Sequence, residues 1–290
     1  MVMDFLKKFF WFFDYGGNGL EQFSDHLGKG TSDIRHFIWI GLTILLIIAI
    51  FKIKNKKTND KIFKVLKVLL AIMFFTRLAR QIQSTVLGVE SPYWRAIFPI
   101  HLCSIMIYLL PIVVLFDFKK IKKPVYYLCI LGGAITISDG DYFDSLFMTF
   151  GTLEGMYAHT LILLAAVFLL RYEKERFDLK DFIKSCMGIT TIALWATIFN
   201  IILGQFYTGS NYLYLVKNML PLFDNCFVYV YMIIYIILLT IFYVCVNLKN
   251  KKNIKEDWKK DWKNVLATIA IMMILAFVVT FLTKKYAIYG

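Results

Sequence analysis

The chain has 290 residues, 59% of them hydrophobic and 17% aromatic, and its mean hydropathy is +0.63. This composition excludes a water-soluble domain of that size and predicts an all-α, polytopic membrane protein. A formal net charge of +13 would suggest a nucleic-acid partner for a soluble chain. Here the basic residues stand in short runs between apolar spans, as cytoplasmic loops require, so no nucleic-acid partner is predicted.

Residues 1–36 are predicted to form an N-terminal segment outside the membrane. Lys7 and Lys8 precede an aromatic run at 9–13. That run is too brief for the apolar region of a signal peptide, and no small-residue cleavage site follows it. The pattern instead indicates an interfacial helix with aromatic side chains at headgroup depth.

Eight apolar runs follow, which are read as membrane-crossing helices. They cover residues 37–53, 63–88, 97–117, 124–138, 155–170, 183–205, 226–247 and 264–283. The first seven form a predicted transmembrane core at 37–247. The region 248–290 adds a basic loop and one further C-terminal helix.

The connections between the runs alternate in basic content, which predicts a topology. Of the 33 Lys and Arg residues, 22 lie in four connections, at 51–64, 118–123, 171–184 and 248–263. The connections at 89–96, 139–154 and 206–225 carry only Arg95 and Lys217. The lysine-rich loops are therefore predicted to be cytoplasmic and both termini extracytoplasmic, in a multi-pass protein of the plasma membrane.

Arg77, Arg80 and Gln81 recur on one face of the second predicted helix. An arginine at mid-membrane costs about 2.5 to 3.5 kcal/mol on insertion scales, so two retained arginines need partners or a wet cavity. They could hold an anion such as a lipid phosphate. They could instead be structural, by reaching outward or by pairing with an acidic residue. The acidic candidates are Asp139, Asp141, Asp144 and Glu154.

The third predicted helix begins with Pro99, His101 and Cys103. Residues two apart on a helix point about 200° apart, so His101 and Cys103 are poor partners for each other and poor joint metal ligands. His159, one turn into the fifth helix from the outside, has the matching depth. The other cysteines include Cys129, Cys186 and Cys245, which are predicted to be small buried hydrophobic residues.

A cysteine paired with a histidine has a specific use. The imidazole takes the thiol proton, and the thiolate forms an acyl thioester that can pass its chain to an alcohol or an amine. Spacing alone leaves the alternative of a buried cysteine and a hydrogen-bonded core histidine. No cofactor and no metal are expected, since the five cysteines have no metal-like spacing.

Four elements of the chain, in this order, resemble the YwaF-type family of bacterial membrane proteins. They are the proline-x-His-x-Cys element at 99–103, the acidic loop at 138–154, Ala158-His159-Thr160, and the Asn-Tyr-x-x-Leu element at 211–215. The resemblance covers roughly 37–247. Ser104 and Thr160 depart from the family pattern, in which an acidic residue often follows the cysteine and a glycine often follows the later histidine.

The family is similar to a eukaryotic transmembrane acyltransferase of ether-phospholipid remodelling that uses a Cys and a His. The resemblance implies Cys103 as the acyl-carrying nucleophile and His159 as the base. Together with the topology it predicts a transacylase of the outer leaflet, with a phospholipid donor and a lysolipid or lipoprotein acceptor. The candidate substrate-binding residues are Arg77, Arg80, Gln81, His101, Glu154, Asn200, Gln205 and Asn211.

Two other function classes stay open from the sequence. A small-molecule transporter would use the intramembrane polar residues as a path, but the inner halves of the spans are almost wholly apolar. A catalytically inert lipid-binding membrane protein fits the same residues. The acceptor, the acyl chain preference and the oligomeric state do not follow from the sequence.

Overall fold

The structure is a computed structural model that describes residues 33–87, 99–139, 150–173, 177–205, 213, 215, 227–247 and 251–286. These residues form eight α-helices, and no strand occurs among them. The helices are α1 (Ile34–Lys52), α2 (Lys56–Leu87), α3 (Leu102–Leu115), α4 (Lys122–Asp139), α5 (Phe150–Tyr172), α6 (Leu179–Gly204), α7 (Phe227–Asn247) and α8 (Lys251–Tyr286). The predicted all-α class is confirmed.

The eight helices correspond in order to the eight predicted apolar runs. Five of them, α1, α5, α6, α7 and α8, contain stretches long and apolar enough to cross a membrane, and α3 is a shorter apolar helix. Large apolar side chains of α1, such as Phe37, Leu42 and Leu45, are exposed. Such a surface is unfavourable in water and suits lipid, so the chain is a multi-pass membrane protein.

Several helices begin earlier than hydropathy predicted. Helix α1 begins within the predicted N-terminal segment because Asp33 caps it, its Oδ1 accepting a hydrogen bond from the Arg35 amide at 2.9 Å. Helices α2 and α8 begin inside the basic connections. Lysine is a good helix former, so a polar turn extends a helix beyond the hydrocarbon core that hydropathy detects.

Three sequence predictions concern residues outside the described ranges. The interfacial helix in 1–36 falls almost wholly before residue 33. Residues 140–149 of the acidic loop and Asn211 are likewise outside the described part of the chain.

The chain divides into two compact units, each described by itself. The first unit comprises Met1–Phe98, Met106–Asp117 and Cys129–Glu173. The second unit comprises Pro99–Ile105, Phe118–Leu128 and Lys174–Gly290. Helices α3 and α4 therefore contribute residues to both units.

In the first unit, α1 and α4 pack against α5 around a small buried core. Trp39, Ile137 and Leu163 form this core. The Trp39 indole N–H also donates a hydrogen bond of 2.8 Å to the Thr160 hydroxyl. Gly133 of α4 permits a close approach, since a Cβ there would lie 2.9 Å from Leu163 Cβ and 3.1 Å from the His159 carbonyl oxygen. These contacts hold the middle of α5, around His159, in place.

In the second unit, α6, α7 and α8 pack against one another. Helix α6 starts with a capping box, in which Asp178 and Asp181 each accept a hydrogen bond from the other's backbone amide. At the far end of α7, the buried Asn247 side chain donates a hydrogen bond of 2.7 Å to the Phe177 carbonyl oxygen. The start of α6 and the end of α7 are therefore tied together by polar contacts at one place in this bundle.

The predicted burial of three cysteines is correct for two of them. Cys129 and Cys186 are buried, whereas Cys245 is exposed, so the prediction for Cys245 is wrong. Ile241 and Val244, on the same side of α7, are also exposed. Hydrophobicity alone does not separate a lipid-facing position from a core position.

Candidate functional site

A buried cluster of charges joins α2 to α5 in the first unit. One carboxylate oxygen of Glu154, Oε2, lies 3.0 Å from Nη1 of Arg77 and 2.5 Å from Nη1 of Arg80. The Glu154 side chain is 1% exposed, and the two arginine side chains are 15% and 11% exposed. Of the acidic residues weighed from the sequence, Glu154 is therefore one that the arginines contact.

Gln81, one residue after Arg80, contacts a residue that the sequence analysis did not single out. The Tyr108 hydroxyl of α3 donates a hydrogen bond to the Gln81 side-chain oxygen. The Phe74 ring, also on α2, packs edge-on against the Tyr108 ring at 5.6 Å between centroids. A tyrosine in an apolar helix gives no signal of its own, because its partner is known only once α2 and α3 are seen to pack.

His159 is buried in α5, and one of its ring nitrogens has a clear partner. Its Nδ1 lies 2.7 Å from the Gly155 carbonyl oxygen, one turn earlier in the same helix. A carbonyl oxygen only accepts, so Nδ1 carries the proton in the neutral ring. Nε2 then holds the lone pair and is the basic nitrogen, which is the state that a general base needs.

Cys103 belongs to the second unit and lies in the first turn of α3. Its side chain is partly exposed, in contrast to the buried Cys129 and Cys186. The helical hydrogen bonds begin at His101, whose carbonyl oxygen accepts from the Ile105 amide at 3.0 Å. The amino-terminal end of α3, with its positive helix dipole, therefore lies beside Cys103.

A contact from α6 holds the segment just before Cys103. The Trp195 indole N–H donates a hydrogen bond of 3.1 Å to the Pro99 carbonyl oxygen. Leu102, between His101 and Cys103, is buried and lines an apolar cavity of the second unit. The start of α3 is therefore fixed on both sides of His101.

Of the predicted substrate-binding residues, Arg77, Arg80 and Glu154 are brought together in the first unit, beside Gln81. His101, Asn200 and Gln205 belong to the second unit. Asn200 is fully buried in α6, whereas Gln205 caps the end of α6 and its amide donates a hydrogen bond of 3.2 Å to the Tyr286 carbonyl oxygen. No group of three or more His, Cys, Asp or Glu suited to a metal ion occurs among the described residues.

Comparison with known proteins places the chain in a family. Neither the curated proteins nor the solved structures include a match to it. A family model, that of the TMEM164 family, matches residues 31–249, which span α1 to the end of α7 and contain Cys103, His159 and the charge cluster. This match covers most of the sequence, so the chain belongs to the TMEM164 family.

Proposed function

We propose that this protein is a Cys/His-dependent membrane transacylase. It takes an acyl chain from a phospholipid, carries it as a thioester on Cys103, and delivers it to a lysolipid or a lipoprotein amine. The resemblance to the YwaF-type bacterial proteins and to the acyltransferase of ether-phospholipid remodelling supports this chemistry. Membership of a transmembrane family supports a lipid-facing site but does not name the reaction.

The state of His159 is the observation that carries the proposal. Because Nδ1 donates to the Gly155 carbonyl oxygen, the ring keeps a basic Nε2. This tautomer matches a base that removes a thiol proton and later returns it.

The reaction follows two balanced steps. In the first, His159 Nε2 takes the Cys103 proton, and the thiolate attacks the donor's ester carbonyl carbon. The ester C–O bond breaks, and the lysolipid oxygen takes the proton from the imidazolium. In the second, the acceptor hydroxyl or amine gives its proton to Nε2 and attacks the thioester carbonyl, the C–S bond breaks, and Cys103 regains a proton.

Arg77 and Arg80 have the chemistry to hold the donor phosphate. The two arginines and Glu154 together carry a formal net charge of +1, and a guanidinium group suits phosphate oxygens. Glu154 fixes both side chains in one orientation, which favours binding of a shared anion. The substrate-binding roles of Gln81, His101, Asn200, Gln205 and Asn211 stay predictions from the sequence.

The proposed site faces the outer leaflet of the plasma membrane. Acyl-CoA is cytoplasmic, so a phospholipid is the acyl donor available on that side. The predicted topology, with both termini outside, supports this placement. Reporter fusions at residues 56 and 255 should report the cytoplasm and a fusion at residue 145 the exterior, and the reverse pattern would remove the outer-leaflet assignment.

Transfer between lipids in reconstituted vesicles tests the function. Wild-type protein should move a labelled chain from a phospholipid to a lysolipid, and Cys103→Ala and His159→Ala should each lower the rate by at least about a hundredfold. Cys186→Ala is the matched control, because it removes a buried thiol from the second unit. Equal rates for Cys103→Ala and Cys186→Ala would exclude the mechanism and favour a non-catalytic lipid-binding role.

The arginines need a test of their own. Lysine keeps the charge but lacks the planar fork, so Arg77→Lys and Arg80→Lys should raise KM for the donor phospholipid by about tenfold, with a smaller effect on kcat. Lys67→Arg is the control, because it makes the opposite exchange on the same helix, outside the cluster of Arg77, Arg80 and Glu154. It should leave KM unchanged. Unchanged KM in both arginine variants would assign the arginines a structural role only.

A further inference from the structure

The first turns of α8 direct their aspartates toward the helix bundle of the second unit. Asp257 accepts a hydrogen bond of 3.1 Å from the Tyr243 hydroxyl of α7. Asp261, one turn later on α8, is buried. Residues four apart lie on one side of a helix, so both carboxylates belong to the packed side. The outer side of the same turns is left to other residue types.

Lysines and tryptophans occupy that outer side. The exposed residues that share it, three or four positions apart, are Lys255, Trp258, Lys259, Trp262 and Lys263. We call them the lysine–tryptophan face. The Lys263 Nζ atom lies 5.8 Å from the centre of the Trp262 ring, so a charge and an aromatic ring are presented together. Glu256 is exposed beside this face, one helical turn from the exposed Lys260, which balances its charge.

The lysine–tryptophan face continues into an exposed apolar side of the same helix. Leu266, Ile274 and Phe277 are exposed, and they follow Lys263 at spacings that keep them on its side of α8. Large exposed apolar side chains in a membrane-crossing helix suit lipid chains. The lysine–tryptophan face therefore lies at the end of a lipid-facing stripe.

The length of α8 sets the depth of this face. Lys263 and Lys284 are about 31 Å apart along the helix axis, which matches a hydrocarbon core of about 30 Å. Lys263 then lies where the hydrocarbon ends, and Lys259 lies about 6 Å beyond it. That is the depth of the phospholipid headgroups.

The residue types at this depth specify the headgroup. The rings of tryptophan are favoured at the membrane–water interface. A lysine ammonium group donates three hydrogen bonds, carries a full positive charge and is attracted to anionic lipids. A zwitterionic headgroup brings a cation of its own, which cancels most of that attraction. The face is therefore complementary to a headgroup with a net negative charge.

We propose that the lysine–tryptophan face of α8 binds the headgroups of anionic phospholipids. Lys259 and Lys263 hold the headgroup phosphate, and Trp262 fixes the depth of the helix in the interface. On the predicted topology this is the cytoplasmic leaflet, opposite to the leaflet of the proposed reaction. The proposal does not depend on the transacylase function.

The test compares two lipids that differ in net charge. The full chain in detergent micelles is titrated with phosphatidylglycerol or phosphatidylcholine, and native mass spectrometry counts the bound lipids. Wild-type protein should bind phosphatidylglycerol about tenfold more tightly, and the double variant Lys259→Gln/Lys263→Gln should lose this preference. Both lipids carry the phosphate proposed to contact Arg77 and Arg80, so the ratio of the two affinities reports the added negative charge.

A second pair of lysines is the matched control. Lys57 and Lys61 are exposed and one turn apart near the start of α2, and no tryptophan occurs between residues 54 and 64. Lys57→Gln/Lys61→Gln should keep the wild-type ratio within about twofold. An equal loss in both double variants would overturn the proposal, because the preference would then follow net charge alone. A wild-type ratio near one would overturn it as well.

Two further measurements separate lipid binding from misfolding and from a protein contact. Lys259→Arg/Lys263→Arg keeps both charges and should keep the preference, and its loss there would overturn the proposal. A photoreactive benzoylphenylalanine in place of Trp262, in vesicles that contain phosphatidylglycerol, should capture lipid. Capture of a second copy of the chain instead would assign the face to a protein interface and overturn the proposal.

Discussion

The two units hold their charged residues in different ways. In the first unit, one Glu154 oxygen bridges two arginines, and its side chain is 1% exposed. In the second unit, Lys123 lies 3.4 Å from Asp181 in the first turn of α6, with side chains 23% and 8% exposed. The same unit contains a small apolar cavity lined by Leu102, Ile189 and Ala193. The ion pairs of the first unit described here are therefore buried, whereas the lysine of the second-unit pair is partly exposed.

The largest expected effect comes from removing the bridging charge. Glu154→Gln leaves two buried guanidinium groups with an amide in place of a carboxylate, which should lower the free energy of unfolding by about 3 to 5 kcal/mol. The measurement is reversible unfolding by denaturant in detergent micelles. Donor transfer should fall as well, because the arginines lose their fixed orientation.

The matched change in the second unit is Lys123→Met. Lys123 is more exposed than either arginine, and the buried Asp181 carboxylate keeps the Asp178 amide as a partner, so the loss of Lys123 should lower the free energy of unfolding by only about 1 to 2 kcal/mol. If Glu154→Gln lowers the free energy of unfolding by no more than Lys123→Met does, the two ion pairs contribute equally to stability, which would contradict the comparison.

These contacts show what the sequence could and could not predict. The insertion penalty identified Arg77 and Arg80, and Glu154 was among four possible partners. Hydropathy predicted, in order, the eight helices that the described residues form, five of which are long and apolar enough to cross a membrane, but not their polar ends, such as the start of α1 at its Asp33 cap. The role of Gly155 at His159 could not be predicted, since a backbone carbonyl carries no sequence signal. Tyr108 and the cavity beside Leu102 depend on packing alone.

Two glycines provide the next comparison. A Cβ at Gly133 would meet the Leu163 Cβ and the His159 carbonyl oxygen, neither of which can rotate away. A Cβ at Gly188 would meet only the Leu128 Cδ1 atom, at 3.0 Å, which can move. Gly133→Ala should therefore destabilise by about 1 to 3 kcal/mol and reduce transfer, whereas Gly188→Ala should be neutral or slightly stabilising. Thermal unfolding of both variants checks this, and equal shifts would contradict it.

The smallest expected effect separates stability from activity. Trp39→Phe and Trp195→Phe each remove one indole hydrogen bond, to Thr160 in the first unit and to Pro99 in the second. Trp39 is buried, so its loss should lower the free energy of unfolding by about 1 kcal/mol. Trp195 is 39% exposed, so its loss should affect stability less. It should slow transfer more, because Pro99 precedes the Cys103 turn.

Comparing unfolding midpoints with transfer rates for the two tryptophan variants tests this separation. A larger loss of transfer in Trp39→Phe than in Trp195→Phe would contradict the importance of the Pro99 contact.

The central claim is that Cys103 carries the acyl chain, and its most direct test is the mass of the protein itself. Wild-type protein incubated with a labelled phospholipid should gain the mass of one acyl chain, located on the peptide with Cys103 and released by hydroxylamine at neutral pH. Cys103→Ala should gain none, and Cys186→Ala should gain the wild-type amount. A wild-type protein without a hydroxylamine-sensitive acyl group, under conditions in which transfer occurs, would contradict the account.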